Sequence, residues 1–204
     1  MDMTAPFAPL FSPTTGALLR TLAGTTKPLT GREAARIAQV NPSTAWATLA
    51  KLTEAGILEE QQAGRATLFL FNRDHVAATP LLELLRMRER LFDQIRQRIQ
   101  DWQLQPLHVS VFGSTARGDG DSNSDIDLLV IRPDGVRPED ERWRAQLDNL
   151  AEAITRWSGN HAGLAELDRA GVRAILAERN PIERDLQRDA VLLFGTSLQE
   201  LSSK

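Results

Sequence analysis

The feature that most constrains this chain is a pair of carboxylates at the mouth of its most apolar run. Asp125 and Asp127 straddle Ile126, and Leu128-Leu129-Val130-Ile131 follow without a break. A short apolar run of this kind, bounded by polar residues, predicts a buried strand. Residues i and i+2 of a strand point to one face, so the two carboxylates stand side by side. Upstream, Val109, Val111 and Phe112 form a second β-like run that stops at Gly113-Ser114. A polar loop joins the two runs.

Neighbouring like charges raise each other's pKa and repel. A divalent cation removes the repulsion, and Mg²⁺ commonly takes one or two carboxylates together with water and substrate phosphates. Gly113 lacks a Cβ, so a phosphate can approach its backbone. Ser114 adds a hydroxyl donor, and a short helix opening there would turn free N–H groups to an anion. Arg117 and Ser124 stand close enough in sequence to add phosphate or positioning contacts. The expected site holds a triphosphate on one strand end and Mg²⁺ or Mn²⁺ on its neighbour. Other phosphate and cation motifs fail. A calcium loop starting at Asp119 would need glycine and a bidentate acid where Ser124 and Val130 stand. The chain has no P-loop, and Gly118-Asp119-Gly120 lacks the third glycine of a dinucleotide fingerprint.

Gly113-Ser114 followed by Asp125-Ile126-Asp127, in longer form GSTARG and SDIDLLV, resembles the signature of the nucleotidyltransferase fold shared with DNA polymerase beta. Over Leu107 to Gly195 the chain is similar to the minimal nucleotidyltransferases, which include MNT-type antitoxins paired with HEPN toxins. The resemblance implies an α/β domain with a small mixed sheet over residues 106–204. It implies transfer of a nucleoside monophosphate from an NTP, with ATP expected, to a hydroxyl, releasing pyrophosphate. Gly113, Ser114, Arg117 and Ser124 become nucleotide-binding residues, and Asp125 and Asp127 catalytic metal ligands. A third carboxylate is expected from a later strand, for which Ala162–Leu167 is the candidate. Glu166, inside that run, is favoured as third metal ligand or as base on the acceptor hydroxyl; Asp168 stays open. Asn180 to Gly195 resembles the closing helix of these domains and is expected to cover the sheet with Ile182, Leu186, Val191 and Leu192.

The first eighty residues read differently. Periodicity predicts helices over Thr14–Leu22, Gly31–Gln39 and Ser43–Ala55. Thr30 and Glu33 form a capping box, Asn41-Pro42 breaks the second helix, and Ser43 is the expected cap of the third. The second helix should bury Ala34, Ala35 and Ile37 or Ala38, and the third Trp46, Leu49 and Leu52. Strand-like runs at Ile57–Gln62 and Thr67–Phe71 flank a turn at Gly64. Three helices and a hairpin over residues 12–75 resemble the winged helix-turn-helix domains of bacterial regulators. That resemblance implies DNA contacts from Ser43, Thr44, Thr48 and Lys51 of the third helix and Arg65 of the wing, with Lys27, Arg32 and Arg36 on phosphates. Pro80 to Trp102 reads as one amphipathic connector helix, residues 80–103, with Leu82, Leu85, Leu91, Ile95 and Ile99 buried.

Composition sets bounds on these readings. Net charge is −3, so any DNA binding must come from a local patch. Residues 1–80 carry 7 basic and 6 acidic side chains, and residues 81–204 carry 17 and 21. With no cysteine, disulfides, thiolate zinc and a cysteine nucleophile are excluded. His75, His108 and His161 are scattered and receive no role. Met1 to Leu10 lacks the basic and apolar regions of a signal peptide, and no apolar run reaches membrane-span length. The expectation is a cytoplasmic α+β protein with an NTP substrate, DNA and a protein acceptor or toxin as candidate partners, and a homodimeric state. The alternative is a winged-helix regulator or antitoxin-type interaction protein whose transferase domain senses nucleotide or is inactive.

Overall fold

The computed structural model describes residues 2, 10–177, 186 and 188–203. Most of the proline-rich start, and Ile182, lie outside them. The chain divides into two compact units between Met87 and Arg88.

The first unit contains α1 (Pro13–Ala23), β1 (Leu29–Thr30), α2 (Gly31–Ile37), α3 (Pro42–Glu54), β2 (Leu58–Ala63), β3 (Ala66–Phe71) and α4 (Ala78–Leu85). The capping box at the start of α2 forms as expected: Glu33 N–H donates to Thr30 Oγ1, and Glu33 Oε2 accepts from Thr30 N–H. The cap of α3 is Asn41, which accepts from Ser43 N–H, so Ser43 lies inside the helix rather than at its cap. The strands form an antiparallel sheet in the order β1-β3-β2. Leu18, Leu22, Ala34, Leu49, Phe69 and Phe71 fill the core beneath it. Trp46, expected in the core, is 44% exposed, and of the two alternatives Ile37 and Ala38 it is Ile37, 49% exposed, that stays on the surface. Ala38 packs against the core in place of Ile37. Gly64 takes the positive φ that the β2–β3 turn needs.

The expected single helix over Pro80–Trp102 is two. Arg86 leaves the helical region between α4 and α5 (Met87–Gln100). The stripe on which the sequence reading relied serves two cores. Leu82 and Leu85 pack in the first unit, whereas Leu91, Ile95 and Ile99 pack in the second.

In the second unit α5 is followed by β4 (His108–Phe112), α6 (Gly113–Arg117), β5 (Ile126–Ile131), α7 (Glu141–Ser158), β6 (Ala162–Leu167), α8 (Arg169–Ala177), β7 (Val191–Gly195) and α9 (Leu198–Ser203). The sheet is mixed, in the order β6-β5-β4-β7, with β5 and β6 parallel and the other pairs antiparallel. Alternation gives it two apolar faces. Val109, Val111, Ile126, Leu128 and Val130 pack against α5 and α7, where Trp102 and Trp143 meet edge to face at 5.6 Å. Leu129 and Ile131 pack with Val172 of α8 and Leu198 and Leu201 of α9. The expected closing helix over Asn180–Gly195 is overturned at its end. Val191 to Gly195 is an edge strand paired with β4, leaving Leu192 44% exposed, while Leu186 is buried as expected.

Candidate active site

The paired acids sit where β4 and β5 end together. Phe112 is the register partner of Asp127, so the chain turns at Gly113 directly beside the Asp127 carboxylate. A Cβ on Gly113 would lie 3.1 Å from Asp127 Oδ2, and Gly113 holds φ at +69°. The glycine is thus required twice, by backbone conformation and by carboxylate. On the other flank β6 runs parallel to β5, and Gly163 is the partner of Asp127. A Cβ there would lie 2.7 Å from Asp127 Oδ1. The carboxylate therefore occupies a slot between two glycines.

Asp127 is half-buried and Asp125 exposed. Loss of water around Asp127 pushes its pKa up, and the charge of Asp125 pushes it further. Among the described residues neither carboxylate has a hydrogen bond or an ion pair. Two hard-oxygen ligands without a cationic partner fit a divalent ion that draws its remaining ligands from phosphates and water. Among the described residues no group of three or more His, Cys, Asp or Glu side chains forms a metal cage.

Glu166 does not belong to this site. It is three residues beyond Gly163, which is about 10 Å at roughly 3.3 Å per residue, and odd spacing puts it on the opposite face. There its Oε1 accepts from Arg132 and from Trp143 Nε1 at 2.9 Å, and its Oε2 from Arg144 at 3.2 Å. It is a partly buried structural anion, and the expected catalytic and metal-binding role is corrected. Asp168 follows the end of β6, is exposed, and lies 3.7 Å from Arg132.

Ser114 and Ser124 come together around Gly120, where a Cβ would meet Ser114 Oγ at 2.9 Å and Ser124 Cβ at 3.4 Å. The loop thus folds back over the start of α6. Ser124 Oγ accepts from Asp121 N–H and donates to its carboxylate, both at 2.9 Å. Arg117 pairs with Asp119 at 3.0 Å and Asp189 at 3.6 Å. Two side chains that the sequence reading missed hold the loop. Buried Asn160 donates through Nδ2 to the carbonyls of Asp121 (3.1 Å) and Ser124 (2.8 Å). Buried Thr115 donates to the Asp125 carbonyl at 3.3 Å. Lone polar residues carry no motif; only the glycine inside β6 signalled a close approach.

In the first unit Ser43, Thr44, Lys51 and Arg65 are exposed and Thr48 is partly buried. Ser43 Oγ donates to Asn41 and Thr48 Oγ1 to the Thr44 carbonyl. No helix among the described residues is long and apolar enough to cross a membrane.

A search of curated proteins finds no match. Among solved structures, a toxin–antitoxin complex with AMP-PNP aligns with a TM-score of 0.38 at 16% identity, covering 55% of this chain and 81% of that one. A mutant of the toxin–antitoxin MntA-HpeT aligns with a TM-score of 0.37 at 16% identity over the same shares. The nucleotidyltransferase domain family matches residues 92–193, half of the chain. That span runs from α5 into β7 and contains the glycine–serine turn, the folded-back loop and both acids, so this chain belongs to the nucleotidyltransferase domain family.

Proposed function

We propose that the second unit transfers a nucleoside monophosphate from an NTP, with ATP as donor, to an acceptor hydroxyl, releasing pyrophosphate. The observation that carries this is the Asp127 carboxylate held between Gly113 and Gly163 at the strand end where the Gly113-Ser114 turn begins. Gly113 and Ser114 bind the terminal phosphates, and Ser124, held by Asn160, positions the loop that closes on them. Asp125 and Asp127 hold Mg²⁺, which when bound neutralises charge on the transferring phosphate. Arg117, tied to two carboxylates, orders the loop and α6 beside the phosphates. We assign residues 12–75 of the first unit as a winged helix-turn-helix that binds DNA through Ser43, Thr44, Thr48 and Lys51 of α3 and Arg65 of the β2–β3 turn. The order of its helices, its three-stranded sheet and the exposure of Ser43, Thr44, Lys51 and Arg65 support that reading.

The test incubates the protein with α-labelled ATP, Mg²⁺ and cell extract. Label should pass to an acceptor with wild type and not with Asp127→Asn. Equal labelling by both would end the transferase reading. A gel shift with genomic fragments tests the DNA reading separately, and failure of Lys51→Ala and Arg65→Ala to weaken any shift would end that one.

A further inference from the structure

The first unit contains a cleft of about 420 Å³ between α2, Trp46 of α3 and the start of β3. That volume is within the range of small-molecule sites. The Trp46 indole forms one wall and is fixed from behind. A Cβ on Gly31 would lie 2.9 Å from its Cε2, and it meets Phe69 edge to face at 5.5 Å. Its remaining surface is open to solvent. The charged side chains lining the cleft are Arg32 and Arg65, and no carboxylate lines it. Among the described residues neither arginine has an ion pair or a side-chain hydrogen bond. The nearest acid in sequence, Glu33, is engaged by the N–H and hydroxyl of Thr30 in the cap of α2. Thr67 Oγ1 accepts from Gln62 at 3.1 Å, which leaves its own proton to donate into the cleft.

We infer that this cleft binds a nucleotide unit, with its phosphate between Arg32 and Arg65 and its base against the Trp46 indole. A guanidinium fork matches phosphate oxygens in geometry and charge. An indole face takes any nucleobase by stacking. A base paired within a duplex shows only its edges, so the ligand is a free nucleotide or an unpaired nucleic-acid strand. This site is separate from the Asp125–Asp127 site, and the inference stands without the DNA-binding reading of α3.

The test follows tryptophan emission of the full chain in EDTA on addition of AMP, adenosine or a single-stranded oligothymidylate. Asp127→Asn serves as background, so that the other site does not report. AMP or the oligonucleotide should change an emission component that Trp46→Phe lacks. Arg32→Ala/Arg65→Ala should weaken that change at least tenfold, and added salt should weaken it further. Both arginines are exposed, so this double variant keeps the core. Saturation by AMP assigns a free nucleotide, and a response to the oligonucleotide alone assigns a strand. The inference is overturned if neither probe alters the Trp46 component, if adenosine binds as tightly as AMP, or if the double arginine variant binds like wild type.

Discussion

Asp127 and Glu166 lie on neighbouring parallel strands of one sheet, both partly buried, and the fold treats them in opposite ways. On one face Glu166 receives two guanidinium groups and an indole N–H. On the other Asp127 receives two glycines and another carboxylate. A buried charge with a full set of donors rigidifies the structure around it, and removing one partner is costly. A half-buried charge without donors raises the energy of the empty fold and retains affinity for a cation from outside. The difference separates an acid that holds the protein together from one that is free to act.

Asp127→Asn tests this contrast most severely. Transfer should fall on the order of 10³-fold, the scale of losing a central electrostatic stabiliser. The fold should gain stability, because a carboxylate whose pKa is raised on folding opposes folding when ionised. A metal-free thermal melt at neutral pH should rise, and a fall would show that Asp127 is structurally supported after all. Glu166→Ala should do the reverse. It removes the nearer carboxylate of partly buried Arg132 and the acceptor of the buried Trp143 indole N–H, and should cost about 3 kcal/mol by urea titration, with transfer per folded molecule unchanged. Replacing Arg132 and Glu166 together by Met and Leu should recover only part of that loss, because the buried Trp143 indole N–H still lacks its acceptor. A large drop in kcat for Glu166→Gln with an unaltered melt would restore a catalytic role. Gly163→Ala comes next. Its methyl must displace Asp127 Oδ1, and a misplacement of this size costs about 10²-fold in activity. Weaker Mg²⁺ binding with a normal urea midpoint would fit, and unaltered kinetics would show that the slot has room.

What the sequence disclosed and what it hid follow the same division. Strands β4 and β5, the turn at Gly113 and β6 to the residue were readable, because each is a local pattern. The face on which an acid of β6 stands is not local. It depends on the pairing of β5 with β6, where the offset between Gly163 and Glu166 switches the face. The acid attracted the assignment, although the glycine was the residue touching the site. A continuous apolar stripe likewise concealed the break at Arg86, since periodicity does not say which core a residue enters. Trp46 kept helical spacing while its indole found Gly31 at the rim instead of the interior. The apolar run of β7 looks alike for a buried helix and for a short strand. Asn160 and Thr115 act through single hydrogen bonds to loop carbonyls, which leave no trace in composition or period.

The smallest expected effect lies on the Asp127 face of the sheet, at its closed end. His108 is buried; its Nδ1 donates to the Thr196 carbonyl at 2.7 Å and its Nε2 accepts from Ser110 Oγ at 2.8 Å. A carbonyl on one side and a hydroxyl on the other satisfy the neutral ring. Burial holds its pKa below the usual histidine value, with the Thr196 bond working against this. The unfolded chain then takes up the proton first. Stability is complete above the ordinary histidine pKa of about 6.5 and declines as pH falls below it. Asp127 works in the opposite sense, because its folded form keeps a proton longer than the unfolded chain does. Urea midpoints between pH 7.5 and pH 5 should therefore fall with acidification in wild type and in Asp127→Asn alike. The slope should flatten in His108→Gln. If Asp127→Asn removes the slope instead, the titration belongs to the open end of this face, and the closed end is not the neutral-imidazole site described here.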